Sequence, residues 1–250
     1  MSWVALLLLG VGFGDLAADV AGRRHRPFPG VVTGVVVVVV FALLGDMVGS
    51  ARDLAGTLVV LVAAVAWLVT SDVRGDERRG AWLPLGTFVL AVTAGFVANP
   101  AAPAVGGAIE RWLDAATWPG LAGRDPSATL LLFGAMVAQL STGNLLVRLL
   151  LLATNTPSPN RGGAPARLRG GRLLGPMERL LIVGLGMAGD YTAAGVVIAA
   201  KGLLRFPELQ AVRADQSATS TAIDEVTEYF LVGSFLSWLV AFASLALLRL

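Results

Sequence analysis

The chain has 250 residues, of which 56% are hydrophobic and only 14% charged, and its mean hydropathy is +0.74. A soluble domain of this size carries about a quarter charged residues, so an ordinary water-soluble fold is excluded. The absence of cysteine and the single histidine, His25, rule out disulfides, cysteine nucleophiles and multi-histidine metal sites, and the net charge of +2 reads as membrane orientation rather than nucleic-acid binding.

Apolar stretches long enough to cross a hydrocarbon core of about 30 Å recur along the whole length. Seven spans are expected, over residues 3–21, 29–48, 54–70, 82–98, 128–153, 177–201 and 226–248. The first lacks a basic leader and carries Asp15 and Asp19, so it reads as a retained span rather than a cleaved signal. The β-branched run Val35 to Val40 would suit a strand in water, but in lipid a segment must satisfy its own backbone, which favours helix. None of the segments alternates polar and apolar residues as barrel strands do. Asp46 and Asp53 flank the short loop GDMVGSARD between the second and third spans, where loop acids are ordinarily solvated.

After Asn99-Pro100 the pattern changes. Val105, Ile109, Trp112, Leu113 and Ala116 fall at helical spacing while Glu110, Arg111 and Asp114 face elsewhere. This predicts a short amphipathic helix in the membrane interface, with Trp112 and Trp118 at headgroup depth. The Thr154–Gly171 linker is rich in Pro, Gly and Arg and should be mobile, and a polar loop is expected over Pro207 to Asp224. The predicted fold is thus all-α, a polytopic transmembrane helical bundle forming one integral membrane domain over residues 1–250. No internal repeat is visible, which argues against an inverted-repeat transporter.

Of the 19 basic residues, thirteen fall on one side of a seven-span arrangement and six on the other. The richer side holds Arg23, Arg24, Arg26, Arg74, Arg78, Arg79, Arg148, Arg161, Arg167, Arg169, Arg172, Arg179 and Arg249. The positive-inside rule places that side in the cytoplasm, with the N-terminus outside and the C-terminus inside.

An ionisable side chain within a span is costly and is a functional candidate by default. Asp15 and Asp19 share a helix face in the first span, where Gly12 and Gly22 would let a neighbour approach. In the fifth span Ser141, Asn144 and Arg148 form a polar stripe edged by Gln139 and Thr142. Arg148 lies within snorkelling reach of the interface, and the small polar residues suit interhelical bonding. In the sixth span Arg179, Gly186, Asp190, Val197 and Lys201 share one face, with Asp190 at mid-depth beside the Tyr191 hydroxyl and Glu178 near the helix start. Asp15 and Asp190 are expected to share a polar cavity with Asn144 and Arg148. Ser234, Ser237 and Ser244 line one face of the last span and read as packing, and GLGMAG, Gly184 to Gly189, lacks the preceding strand of a dinucleotide fingerprint.

The stretch GRLLGPMERLLIVGLGMAGDYTAAGVVIAAKGLLRFPEL from Gly171, followed by TEYFLVGSFLSWLVA from Thr227, resembles the C-terminal signature of an uncharacterised family of bacterial and prophage-borne polytopic membrane proteins. GFGDLAADV, from Gly12, is more weakly similar to that family's opening, which has a histidine a few residues before the aspartate where this chain has glycine or phenylalanine. The resemblance implies a membrane-protein fold and a bacterial origin and brings no activity with it; the expected location is the bacterial plasma membrane.

Three functions suit these residues. The first is a membrane-embedded enzyme acting on a phosphate-bearing amphipathic substrate, an isoprenoid diphosphate or a phospholipid. In it Asp15, Asp190, Asn144 and Tyr191 would serve the chemistry, and Arg148, Arg179 and Glu178 would bind substrate. Asp15, Asp19 and Asp190 could hold Mg²⁺ against a diphosphate. The second is a proton- or cation-coupled transporter or channel using Asp15 and Asp190. The third is an accessory membrane subunit whose polar residues only join helices. Membrane lipids are the expected partners, with a homo-oligomer or a membrane partner subunit compatible with all three.

Overall fold

The computed structural model describes residues 1–21, 27–71, 78–117, 120, 123–156, 171–214 and 220–249. Among them every regular element is helical: α1 (Ser2–Ala21), α2 (Pro27–Leu44), α3 (Ala51–Thr70), α4 (Arg78–Val97), α5 (Gly107–Asp114), α6 (Pro126–Leu140), α7 (Thr142–Ala153), α8 (Gly171–Met187), α9 (Tyr191–Ala214) and α10 (Ser220–Leu247), with a 3-10 turn at Asn99–Ala101. The chain divides into two compact units, residues 1–75 with 80–142, and residues 76–79 with 143–250. The basic run at 22–26, Trp118 and most of the Thr154–Gly171 linker lie outside the described residues.

In the first unit α1 is the core, packed against α2, α3 and α6. Leu6, Leu9 and Val11 are fully buried, as are most of their neighbours on this helix. Four glycines make the crossing with α2. A Cβ on Gly14 would stand 2.9 Å from the Gly30 carbonyl oxygen, and one on Gly34 2.9 Å from that of Gly10. Two small-xxx-small pairs therefore meet in antiparallel register, backbone against backbone, and Leu68 of α3 closes over Gly14 and Gly34. Gly12, expected to admit a neighbour, does so on the α6 side, against Val137 and Ala138.

Helix α3 starts with a capping box: the Asp53 N–H donates to Ser50 Oγ at 3.1 Å, and the Ser50 N–H donates to the Asp53 carboxylate at 3.2 Å. Asp53 is thus satisfied as a helix-start acid. The expected amphipathic helix is α5. Its Leu113 is buried, and Trp112 remains exposed.

The second unit departs from expectation at the sixth span. A continuous helix over 177–201 is replaced by α8 and α9, which pack on each other as a hairpin. The turn is chemically specified. Gly189 takes a left-handed φ of +83°, and its N–H donates to the Gly186 carbonyl at 3.2 Å while the Asp190 N–H donates to that of Leu185 at 2.9 Å. This is a Schellman ending, and Asp190 at once opens α9, its carboxylate accepting from the Ala193 N–H at 2.9 Å. The antiparallel course is confirmed lower down, where Lys201 pairs with Glu178. These two residues lie eleven positions before and twelve after Gly189. Helix α10 runs parallel to α8, Ser237 meeting Arg179 and Leu245 meeting Gly186.

Among the described residues, four helical stretches are long and apolar enough to cross a membrane, Ser2–Ala21, Ala51–Thr70, Gly80–Val97 and Thr227–Leu247. The broken pair α6 and α7 makes a fifth if it counts as one span. Phe28–Leu44 and Tyr191–Leu203 are apolar but shorter. The polar loop expected over Pro207–Asp224 is largely helical, since α9 runs to Ala214 and α10 begins at Ser220.

Where both helices cross the bilayer, a hairpin returns the chain to the side it came from, in place of the alternation of sides expected across residues 177–201. Reporter proteins fused after Gly163 and after Asp215 should face the same compartment. Opposite compartments would require α8 and α9 to cross as a single span.

Candidate functional site

Among the described residues, each unit holds a buried polar constellation. In the first, Asp15 follows directly on the Gly14 contact, which places it inside the packed face of α1 at 3% exposure. Its Oδ2 accepts from Trp67 Nε1 of α3 at 3.0 Å and from Thr142 Oγ1 at 2.7 Å. One turn on, Asp19 accepts from the Ser141 hydroxyl. These hydroxyls are available because the helical run breaks between α6 and α7 at Ser141, with φ −124° and ψ −51°. Two carboxylates on one helix thus face two hydroxyls at a helix break, and the indole N–H adds a third donor.

The break also divides the expected polar stripe. Ser141 serves Asp19, Asn144 serves the second unit, and Arg148 is exposed. The small polar residues are not on one continuous face because α6 ends before Ser141.

In the second unit, Glu178 and Arg179 are both buried, at 6% and 1% exposure, and reach different neighbours. Glu178 pairs with Lys201 of α9, the two side chains being 8% and 10% exposed. The Arg179 guanidinium is forked between two neutral acceptors, Nη2 donating to Asn144 Oδ1 at 2.8 Å and Nη1 to Ser237 Oγ at 3.0 Å. A Cβ on Gly143 would fall 2.8 Å from Arg179 Nε and 3.0 Å from Cζ, so the guanidinium lies close against the start of α7 only because that residue is glycine.

Asp190 and Tyr191 do not join this cluster. Both are exposed at the hairpin turn, eleven or more residues beyond Arg179, about 16 Å along a helix axis. Asp190 was expected at mid-depth in lipid, but the Gly189 turn makes it a cap instead. The Tyr191 ring lies under Arg249, 5.1 Å from guanidinium carbon to ring centroid, and Arg249 Nη2 donates to the Gly186 carbonyl near the end of α8 at 2.9 Å. A cation at a helix C-terminus is favourable there.

Asp15, Asp19 and Asp190 are the expected Mg²⁺ ligands. Asp15 and Asp19 already accept from hydroxyls, Asp190 is a cap, and among the described residues no three His, Cys, Asp or Glu side chains form a metal-holding group.

Three participants were not expected at these positions. Trp67 reads as ordinary core in an apolar helix, and nothing in its surroundings marks a partner 52 residues away. Ser237 reads as packing, yet it orients a guanidinium. Lys201 lies on the expected face of the sixth segment, but its partner Glu178 is revealed only by the hairpin.

Trp67→Phe keeps the ring packing against Phe88, 4.9 Å away centroid to centroid, while removing one donor to a buried carboxylate. It should cost about 1.5–3 kcal/mol, read as a lowered unfolding temperature of the detergent-solubilised protein. An unchanged transition would mean that Asp15 does not depend on the indole.

No protein-family model, curated protein or solved structure matches this chain.

Proposed function

We propose that the chain is a membrane-embedded enzyme of the bacterial plasma membrane that acts on a phosphate-bearing amphipathic substrate, an isoprenoid diphosphate or a phospholipid. The observation that carries the reading is the buried Arg179 fork. A guanidinium among apolar helices, its two arms held by an amide oxygen and a hydroxyl, is aligned before any anion arrives. A phosphate presents two charged oxygens to such a fork in parallel, so it binds the two arms more strongly than the neutral Asn144 amide oxygen and Ser237 hydroxyl do. Glu178 and Lys201, beginning one residue away on α8, supply an acid and a base held together. Asn144 is therefore a binding and positioning group in this reading, and Asp190 and Tyr191 take no part.

The purified protein in detergent should bind farnesyl diphosphate or phosphatidic acid, and Arg179→Lys should weaken that binding about tenfold or more, because an ammonium cannot make two parallel bonds. Gly143→Ala should have a similar effect by displacing the guanidinium. Equal binding by parent and both variants would remove Arg179 from the site.

A second reading, proton- or cation-coupled transport, is favoured by one observation: Asp15 is buried opposite a helix break, an arrangement that serves ions in transporters built on discontinuous helices. It expects gradient-driven flux in proteoliposomes that Asp15→Asn abolishes and Arg179→Lys leaves intact. The enzyme reading expects the reverse sensitivity.

A further inference from the structure

The first unit contains a groove that neither constellation uses. It lies between α2, α5 and α6 and has a volume of about 600 Å³, within the range of roughly 300–1,000 Å³ typical of ligand sites. Phe41 and Leu44 form one wall, Phe133 and Met136 the other, and Ile109 and Trp112 of α5 close one end. The walls are apolar almost throughout. The Phe133 ring meets those of Phe13 and Phe41 in tilted contacts, with ring centroids 6.1 and 6.3 Å apart. Leu44, Trp112 and Phe133 are each more than 40% exposed, and the groove runs onto the exposed apolar flank of α2 at Val36, Val40 and Leu43.

The end at α5 differs in character. That helix turns Ile109, Trp112 and Leu113 toward the groove and leaves Glu110, Arg111 and Asp114 exposed, as a helix at headgroup depth does. Asp46 is beside its first turn, 3.3 Å from the position a Cβ on Gly107 would take, and Arg124 leads into α6. Charges of both signs thus ring the α5 end, with acids in slight excess, while the rest of the groove is hydrocarbon-like.

We propose that this groove holds one acyl chain of a zwitterionic aminophospholipid, phosphatidylethanolamine, with its phosphate toward Arg111 or Arg124 and its ammonium toward Glu110, Asp114 or Asp46. Charge complementarity selects the headgroup. A purely anionic lipid meets more acids than arginines at this end, whereas a phosphate bearing an ammonium satisfies both signs. An apolar chain suits walls that offer almost no polar partner, and continuity with the exposed flank of α2 gives it an entrance from the bilayer. The proposal is independent of the Arg179 site, which belongs to the other unit.

The test is quenching of Trp112 fluorescence by phospholipids with brominated acyl chains, with the full-length protein in nanodiscs and Trp112→Phe subtracted to isolate the signal. Brominated phosphatidylethanolamine should quench at about fivefold lower mole fraction than brominated phosphatidylglycerol, the scale of a single headgroup charge contact. Filling the groove with Met136→Trp, measured by lipid retained in native mass spectrometry, should lower co-purified phosphatidylethanolamine. If that variant fails to insert, Ala108→Leu blocks the same space from α5. Equal quenching by both lipids, or stronger quenching by phosphatidylglycerol, overturns the headgroup assignment. Retention unchanged in the filled variant, or Trp112 protected from both lipids because a second copy of the chain covers the groove in a dimer, overturns lipid occupancy.

Discussion

The first unit depends on the contact of α1 with α2 at Gly10, Gly14, Gly30 and Gly34. In lipid, apolar side chains gain little by leaving hydrocarbon for one another, so helices associate through close packing and polar contacts. Four glycines bring two backbones to a distance no other residue permits, and that closeness makes α1 a core helix rather than a peripheral one. Asp15 then follows by geometry: the residue after Gly14 points into the packed interior, where Trp67 and the hydroxyl of Thr142 meet it. A substitution that separated α1 from α2 would release Leu68 and expose the carboxylate together.

The second unit has a different constraint. Its helices are joined by charge, with Glu178 and Lys201 fixing the hairpin and Arg179 tying α8 to α7 and α10. The turn at Gly189 makes this possible by bringing Lys201 back beside Glu178. Had α8 continued into α9, the two residues would stand about 35 Å apart along one helix. One left-handed glycine therefore decides whether two opposite charges are partners or two separate desolvation costs.

Hydropathy made the helical fold legible, together with most boundaries of α1, α3, α4 and α10, because a lipid-facing segment advertises itself by composition. Asp15 was legible for the same reason, as an acid within such a segment. The breaks were not. Ser141 is only a small polar residue in an apolar run, and small polar residues also occur in unbroken membrane helices. At Ala188-Gly189-Asp190 the signal was present, a glycine able to take positive φ followed by a good N-cap, but the apolar length on both sides outweighed it. Trp67 and Ser237 were illegible in principle, because each acquires its role from a residue more than 50 positions away.

The charges of the second unit are hard to explain as stabilisers. Replacing a buried ion pair by apolar residues of similar volume is often neutral or stabilising, whereas losing one partner costs about 3–5 kcal/mol. Helices as apolar as α8 and α9 could pack with leucine at positions 178, 179 and 201 and avoid that exposure to loss. Asn144 and Ser237 sharpen the point. They give the guanidinium oriented neutral acceptors, an arrangement that fixes its direction at those two arms.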